Sequence, residues 1–295
     1  MKTTRVIAFA LMLASSNLVA CGDGGEDRAA PDTRQENTGD AAAQKVNIVA
    51  REYSFDAPAT LEGGVVQFTF SNRGNEPHFV GLARVNEGRT FEDVRAALTA
   101  PLPSPGSAPA GPPPSEDFGG TPTIHPGVEG EMAFNIPAGD YVFFCQIPAP
   151  DGVPHSAKGM LKDLTVTEGA EGTLPEADQT MVATDFAFDR APSLKAGTNV
   201  LRLRNNGRQL HELSVIELAS GKTVDDMVAW ARQPSGPPPA RYLGGVAIKA
   251  GEEATATLDL AEGRTYAVIC EIPDFLGDFA PHVTKGMHTQ ALSVS

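Results

Sequence analysis

The residues best equipped for chemistry come in two sets of four. One is His78, Cys145, His155 and Met160; the other is His211, Cys270, His282 and Met287. Each set runs histidine, cysteine, histidine, methionine, and each ends in His-x4-Met. A thiolate and two imidazoles with a weak axial thioether suit a copper ion that cycles between two oxidation states. Taken singly, a buried cysteine or methionine usually only fills a core. An ordered quartet that occurs twice asks for a common cause. His125 and His288 fall in neither set, so histidine is not kept everywhere in the chain.

The cause is an internal duplication. "VAREYSFDAPATLEGGVVQFTFSNRGNEPHF" from Val49 parallels "VATDFAFDRAPSLKAGTNVLRLRNNGRQLHEL" from Val182. "GRTFEDVRAAL" from Gly88 parallels "GKTVDDMVAWA" from Gly221, and "GPPPSEDFGG" from Gly111 parallels "GPPPARYLGG" from Gly236. "PHSAKGM" and "PHVTKGM" close the two copies. The order is kept throughout, so two whole domains are expected, 46–168 and 178–295, joined by a polar linker, 169–177.

Each copy reads as mainly β. Val66, Phe68 and Phe70 alternate with Val65, Gln67 and Thr69, and Leu201 and Leu203 alternate with arginines, as in strands with one buried face. Turn residues follow at 72–75 and 205–207. Tyr141–Cys145 and Tyr266–Cys270 are short apolar strands. One helix per copy is predicted, capped by Thr90 and Thr223, with Asp93 and Asp226 three residues later completing a capping box. The expected fold class is all-β: two tandem Greek-key β-sandwich domains, each with one short helix inserted. A sandwich brings the early histidine to the same end as the cysteine, second histidine and methionine. A lysine-glycine pair before each methionine offers a tight return toward the metal.

With these residues in place, the chain resembles the cupredoxins, the plastocyanin/azurin-like blue copper proteins, over both repeats. The resemblance rests on "NRGNEPHF" with "CQIPAPDGVPHSAKGM" and on "NNGRQLHEL" with "CEIPDFLGDFAPHVTKGM". It implies a first type 1 copper site at His78, Cys145, His155 and Met160, and a second at His211, Cys270, His282 and Met287. It also implies outer-sphere electron transfer, usually through the exposed edge of the second histidine. Two features depart from the familiar pattern. Nine residues separate Cys145 from His155 and eleven separate Cys270 from His282, where familiar members have only a few. The extra length must bulge outward, stiffened by prolines at 148, 150, 154, 273 and 281. The residue after the first histidine, often Asn in plastocyanin-like proteins, is Phe79 or Glu212.

The N-terminus reads as a targeting segment. Lys2 and Arg5 precede an apolar run too short to span a membrane, and "LVAC" ending at Cys21 resembles a bacterial lipobox. The expectation is a lipoprotein signal peptide over 1–20, lipidation of Cys21, and a flexible tether over 21–45, with no large apolar side chain in residues 22–45. The protein would then be exported and membrane-anchored, in the periplasm or on the outer cell surface, with an unknown redox partner protein. A net charge of −14 argues against nucleic acid as a partner. Four functions compete at this point. They are electron transfer through two copper sites, copper delivery, an oxidase or nitrite reductase, and a structural lipoprotein that has lost its metal. The enzymes need a further copper centre, usually marked by His-x-His, and the sequence contains none. The chain is therefore read as non-enzymatic. A disulfide between Cys145 and Cys270 is a further alternative, one that leaves the histidines without a purpose.

Overall fold

The computed structural model describes residues 43–100, 112–170 and 172–294. The expected signal peptide, Cys21 and the tether as far as residue 42 lie outside them. The first repeat consists of β1 (Gln44–Arg51), β2 (Ser54–Asp56), β3 (Thr60–Glu62), β4 (Gly64–Asn72), β5 (Gly81–Val85), α1 (Phe91–Thr99), β6 (Ser115–Gly120), β7 (Glu129–Ile136), β8 (Gly139–Phe144) and β9 (Leu161–Thr167). The second follows with β10 (Gln179–Thr184), β11 (Ala187–Phe188), β12 (Gly197–Asn205), β13 (His211–Leu218), α2 (Val224–Arg232), β14 (Ala240–Ile248), β15 (Glu253–Leu260), β16 (Arg264–Ile269) and β17 (Leu292–Val294). Among the described residues the chain is all-β apart from the two expected helices and two short 3-10 turns. Gln44 and Lys45, placed in the tether by sequence, already belong to β1.

The alternation seen in sequence becomes one core. Val66, Phe68 and Phe70 of β4 and Leu201 and Leu203 of β12 are all buried on the inner face. The Phe68 ring meets Phe143 of β8 edge-on across the two layers, centroids 6.3 Å apart. Burying an aromatic side chain of this size contributes about 2–3 kcal/mol. Each helix lies on the outside of the second sheet. Val94 and Leu98 pack against Ala83, Val142 and Phe144, and Met227 packs against Ile216 and Ala267. Both capping boxes form, since the Thr90 and Thr223 hydroxyls accept from the N–H of Asp93 and Asp226 and each carboxylate accepts in return. Each cap contributes about 1 kcal/mol.

The repeats do not merely follow one another; they share both sheets. The eight-stranded sheet runs β11-β10-β12-β15-β7-β4-β1-β2, and the nine-stranded sheet runs β17-β16-β13-β14-β6-β5-β8-β9-β3. The seam is antiparallel pairing of β7 with β15 and of β6 with β14. Met132 and Ala256, each the fourth residue of its strand, face each other across that seam. The arrangement is close to two-fold, and one hydrophobic core runs through both copies.

Candidate metal centres

The first histidine of each set follows a turn that a buried asparagine holds. The Asn72 side chain donates to the carbonyls of Glu76 and Ile124 and accepts from the N–H of Gly74. Asn205 repeats all three bonds with Gln209, Ile248 and Gly207. A buried amide with every bond made fixes its loop, because losing one would leave an unpaired polar group. These asparagines were not singled out from the sequence; their identity in the two repeats was the available signal. Gly74 and Gly207 are required by close approach. A Cβ at either would fall on the first histidine ring and a neighbouring carboxylate.

The long cysteine–histidine segments close on themselves. His155 N–H donates to the Ile147 carbonyl at 2.9 Å, and His282 N–H to Ile272 at 2.9 Å. Pro148 bridges Pro154, and Pro273 bridges Pro281, so the intervening residues form a hairpin that leaves and returns. The bulge reading holds, and the extra length stays outside the site. After each second histidine a 3-10 turn ends at a glycine in the left-handed region, Gly159 at φ 111° and Gly286 at φ 109°. Only glycine takes that conformation cheaply. It returns the chain so that the Met160 and Met287 carbonyls accept from the N–H of Cys145 and Cys270. Both methionine side chains are fully buried in the core that also holds the cysteines.

Three donors therefore converge in each copy. His78 Nδ1 lies 3.1 Å from His155 Nδ1, and Cys145 Sγ lies 3.5 Å from His155 Nδ1. In the second copy His211 Nδ1 lies 3.1 Å from His282 Nδ1, and Cys270 Sγ lies 3.4 Å from His282 Nδ1. A metal about 2.0–2.3 Å from nitrogen and sulfur donors sets neighbouring donors about 3–4 Å apart. Both clusters have that spacing, and all six side chains are buried. Nine and eleven intervening residues are no obstacle. Neither cysteine is in a disulfide. His125 and His288 stand apart from both clusters: His125 Nδ1 accepts from the Tyr242 N–H, and His288 lies near the 3-10 turn of the second copy.

The surroundings prepare these donors. Backbone N–H groups of Phe79 and Ile147 point at Cys145 Sγ, and those of Glu212 and Ile272 at Cys270 Sγ. The position that departs from the plastocyanin pattern thus supplies its main chain. In the second copy its side chain contributes as well, since Glu212 Oε1 accepts from the N–H of Glu271 at 2.6 Å. Burial pushes the Cys145 thiol up to about 11 against these N–H groups, and burial together with the Glu212 charge raises Cys270 well above its usual value. A metal must displace both protons on binding. His155 Nε2 lies 2.9 Å from Glu76 and His211 Nε2 lies 3.1 Å from Asp185. A carboxylate there keeps the proton on Nε2 and leaves the Nδ1 lone pair for the metal. His78 and His282 lack such a bond among the described residues. Burial and then the neighbouring imidazole lower each of them to about 4. They stay neutral, as a ligand must.

One expectation is overturned. The second histidine presents no exposed edge, because His155 and His282 are fully buried. Tyr53 covers His155 and Phe186 covers His282, each with centroids 5.0 Å apart. Lys158 and Lys285 lie over the outer faces of those rings. The aromatic residues come from the turn after β1 and β10, which the sequence reading treated only as part of the repeat.

The all-β sandwich and the ordered, buried His-Cys-His clusters are cupredoxin-like in both halves. The donor sets fit type 1 copper, up to two per chain. No family model and no curated protein matches the chain. Among solved structures, it is similar to reduced auracyanin from the photosynthetic bacterium Roseiflexus castenholzii, with 25% identity, 43% of this chain, 99% of that chain and a TM-score of 0.29. It is similar to auracyanin A, a blue copper protein from the green thermophilic photosynthetic bacterium Chloroflexus aurantiacus, with 22% identity, 42% of this chain, 98% of that chain and a TM-score of 0.28. It is also similar to a blue copper oxidase from Nitrosomonas europaea, with 14% identity, 86% of each chain and a TM-score of 0.26. With TM-scores of this size, none of these likenesses decides what the chain binds or does.

Proposed function

We propose that the chain is an electron-transfer protein carrying two type 1 copper sites. The first would be held by His78, Cys145, His155 and Met160, the second by His211, Cys270, His282 and Met287. The observation that carries the reading is the pair of preformed, fully buried donor clusters. Copper would supply the one-electron chemistry. The protein's part is to hold the imidazoles by Glu76 and Asp185, to aim N–H groups at the thiolates and to exclude water. A fixed, dry site needs little rearrangement when its charge changes. The same burial counts against copper delivery, which needs ligands a partner can reach. Electrons would pass through the Tyr53 and Phe186 covers rather than a bare histidine edge. The sequence contains no His-x-His to mark a further copper centre, and on that ground the chain is read as non-enzymatic. The repeats are read as two domains, 46–168 and 178–295, joined by 169–177. The lipobox-like "LVAC" supports an exported chain anchored through Cys21.

The test is direct. The full chain with Cu(II) is expected to develop an intense visible thiolate-to-copper band and to bind two coppers. Colourless protein without bound copper would overturn the proposal and favour the structural lipoprotein.

A further inference from the structure

A cavity of 450 Å³ opens on the outer face of the nine-stranded sheet at the seam between the repeats, with Gly119 of β6 and Ala247 of β14 in its wall. Both copies line it with equivalent positions. The residues after the first histidines, Phe79 and Glu212, are there, as are the residues after the cysteines, Gln146 and Glu271. The two copies have filled those positions differently. Phe79 stands edge-on to Phe144 with centroids 5.6 Å apart, and Phe275 stands edge-on to Phe279 at 6.0 Å. Four aromatic rings thus face the space. Phe275 is 47% exposed, so part of its ring is free to meet an occupant.

Among these rings stand three carboxyl groups. Glu212 is only 6% exposed, and Glu271 takes a bond from Tyr242. Asp117, on the exposed side of β6, has no side-chain hydrogen bond among the described residues. Among the described residues, no lysine, arginine or histidine lines the cavity. Aromatic faces and carboxylates attract positive charge, and apolar walls favour an apolar body. An anion would find no positive partner, and a bare inorganic cation would leave the four rings unused.

We propose that this cavity binds an organic ammonium ion with an apolar body. The cavity uses none of the eight metal donors, although Glu212 and Glu271 in its wall flank His211 and Cys270. It is tested by calorimetric titration of the full chain, without added copper, using 2-phenylethylammonium, with 2-phenylethanol as a neutral probe of the same shape. Saturable binding of one ammonium per chain is expected, at least about tenfold tighter than the alcohol, as one charge-assisted contact provides. Asp117→Asn and Phe275→Ala, both at exposed side chains, are each expected to weaken it by about tenfold while leaving the melting temperature unchanged. Absence of saturable binding overturns the proposal, as does equal binding of the two probes. Unchanged affinity in both variants overturns it too, because binding then lies elsewhere. None of these outcomes bears on the visible band of the copper-loaded chain, so the two readings can fail separately.

Discussion

The two centres share a donor geometry but not a setting. In the first, the carboxylate of Glu76 holds the second histidine, while Glu52 only approaches His78 Nε2 at 3.7 Å. In the second, Asp185 holds the first histidine. The residue equivalent to Glu76 is Gln209, which turns away to donate to Asp274. The support has moved from one imidazole to the other while the Nδ1 separation stays at 3.1 Å. A centre of this kind needs an anchored imidazole, but which of the two is anchored is free to vary. The cysteines differ as well. Cys145 is flanked by Phe79 and Gln146, Cys270 by the buried acids Glu212 and Glu271.

Removing a sulfur tests whether the centres are separate at all. Cys145→Ala and Cys270→Ala are each expected to lower copper from two to one per chain and to remove one component of the visible band. Metal analysis of both variants checks this; loss of both coppers from one substitution would show the centres to be interdependent. The carboxylate exchange comes next in size. Glu76→Gln is expected to weaken copper at the first centre about 10–100-fold and spare the second, and Asp185→Asn should do the reverse. Competition with a chelator, read on each single-centre cysteine variant, distinguishes the two. The smallest effect concerns potential. Burial raises Glu212 to about 8 and Glu271 to about 7. As pH rises through those values both groups gain negative charge, which favours the oxidised ion. The potential of the second centre should therefore fall between about pH 6 and 9, on the order of tens of millivolts. Phe79 and Gln146 cannot ionise, so the first centre should stay flatter. Parallel slopes in redox titrations would remove the acids as the cause.

The donor sets, the strands and both capping boxes were legible because each depends on local pattern, and the duplication supplied every pattern twice. What escaped the sequence depends on how the chain returns. Counting residues from Cys145 to His155 gives a span that looks too long. The His155 N–H bond to the Ile147 carbonyl makes residue 155 a neighbour of residue 147, and the remainder becomes a side excursion. Tyr53 and Glu52 lie far from His155 and His78 in sequence, so nothing in spacing marks them as covers and supports. The continuity of the sheets was equally hidden. Neither β7 nor β15 was marked by the sequence reading, and only the register of Met132 with Ala256 reveals them as partners.

The seam carries a historical implication. Met132 opposite Ala256 is the pairing that two identical single repeats would make across an exact two-fold axis. The present chain therefore has the form of a symmetric dimer whose subunits have been joined end to end. Once joined, a substitution no longer had to suit both positions at once. Phe79 and Glu212, or Glu76 and Gln209, could part company, and two centres that began as copies were free to become unequal.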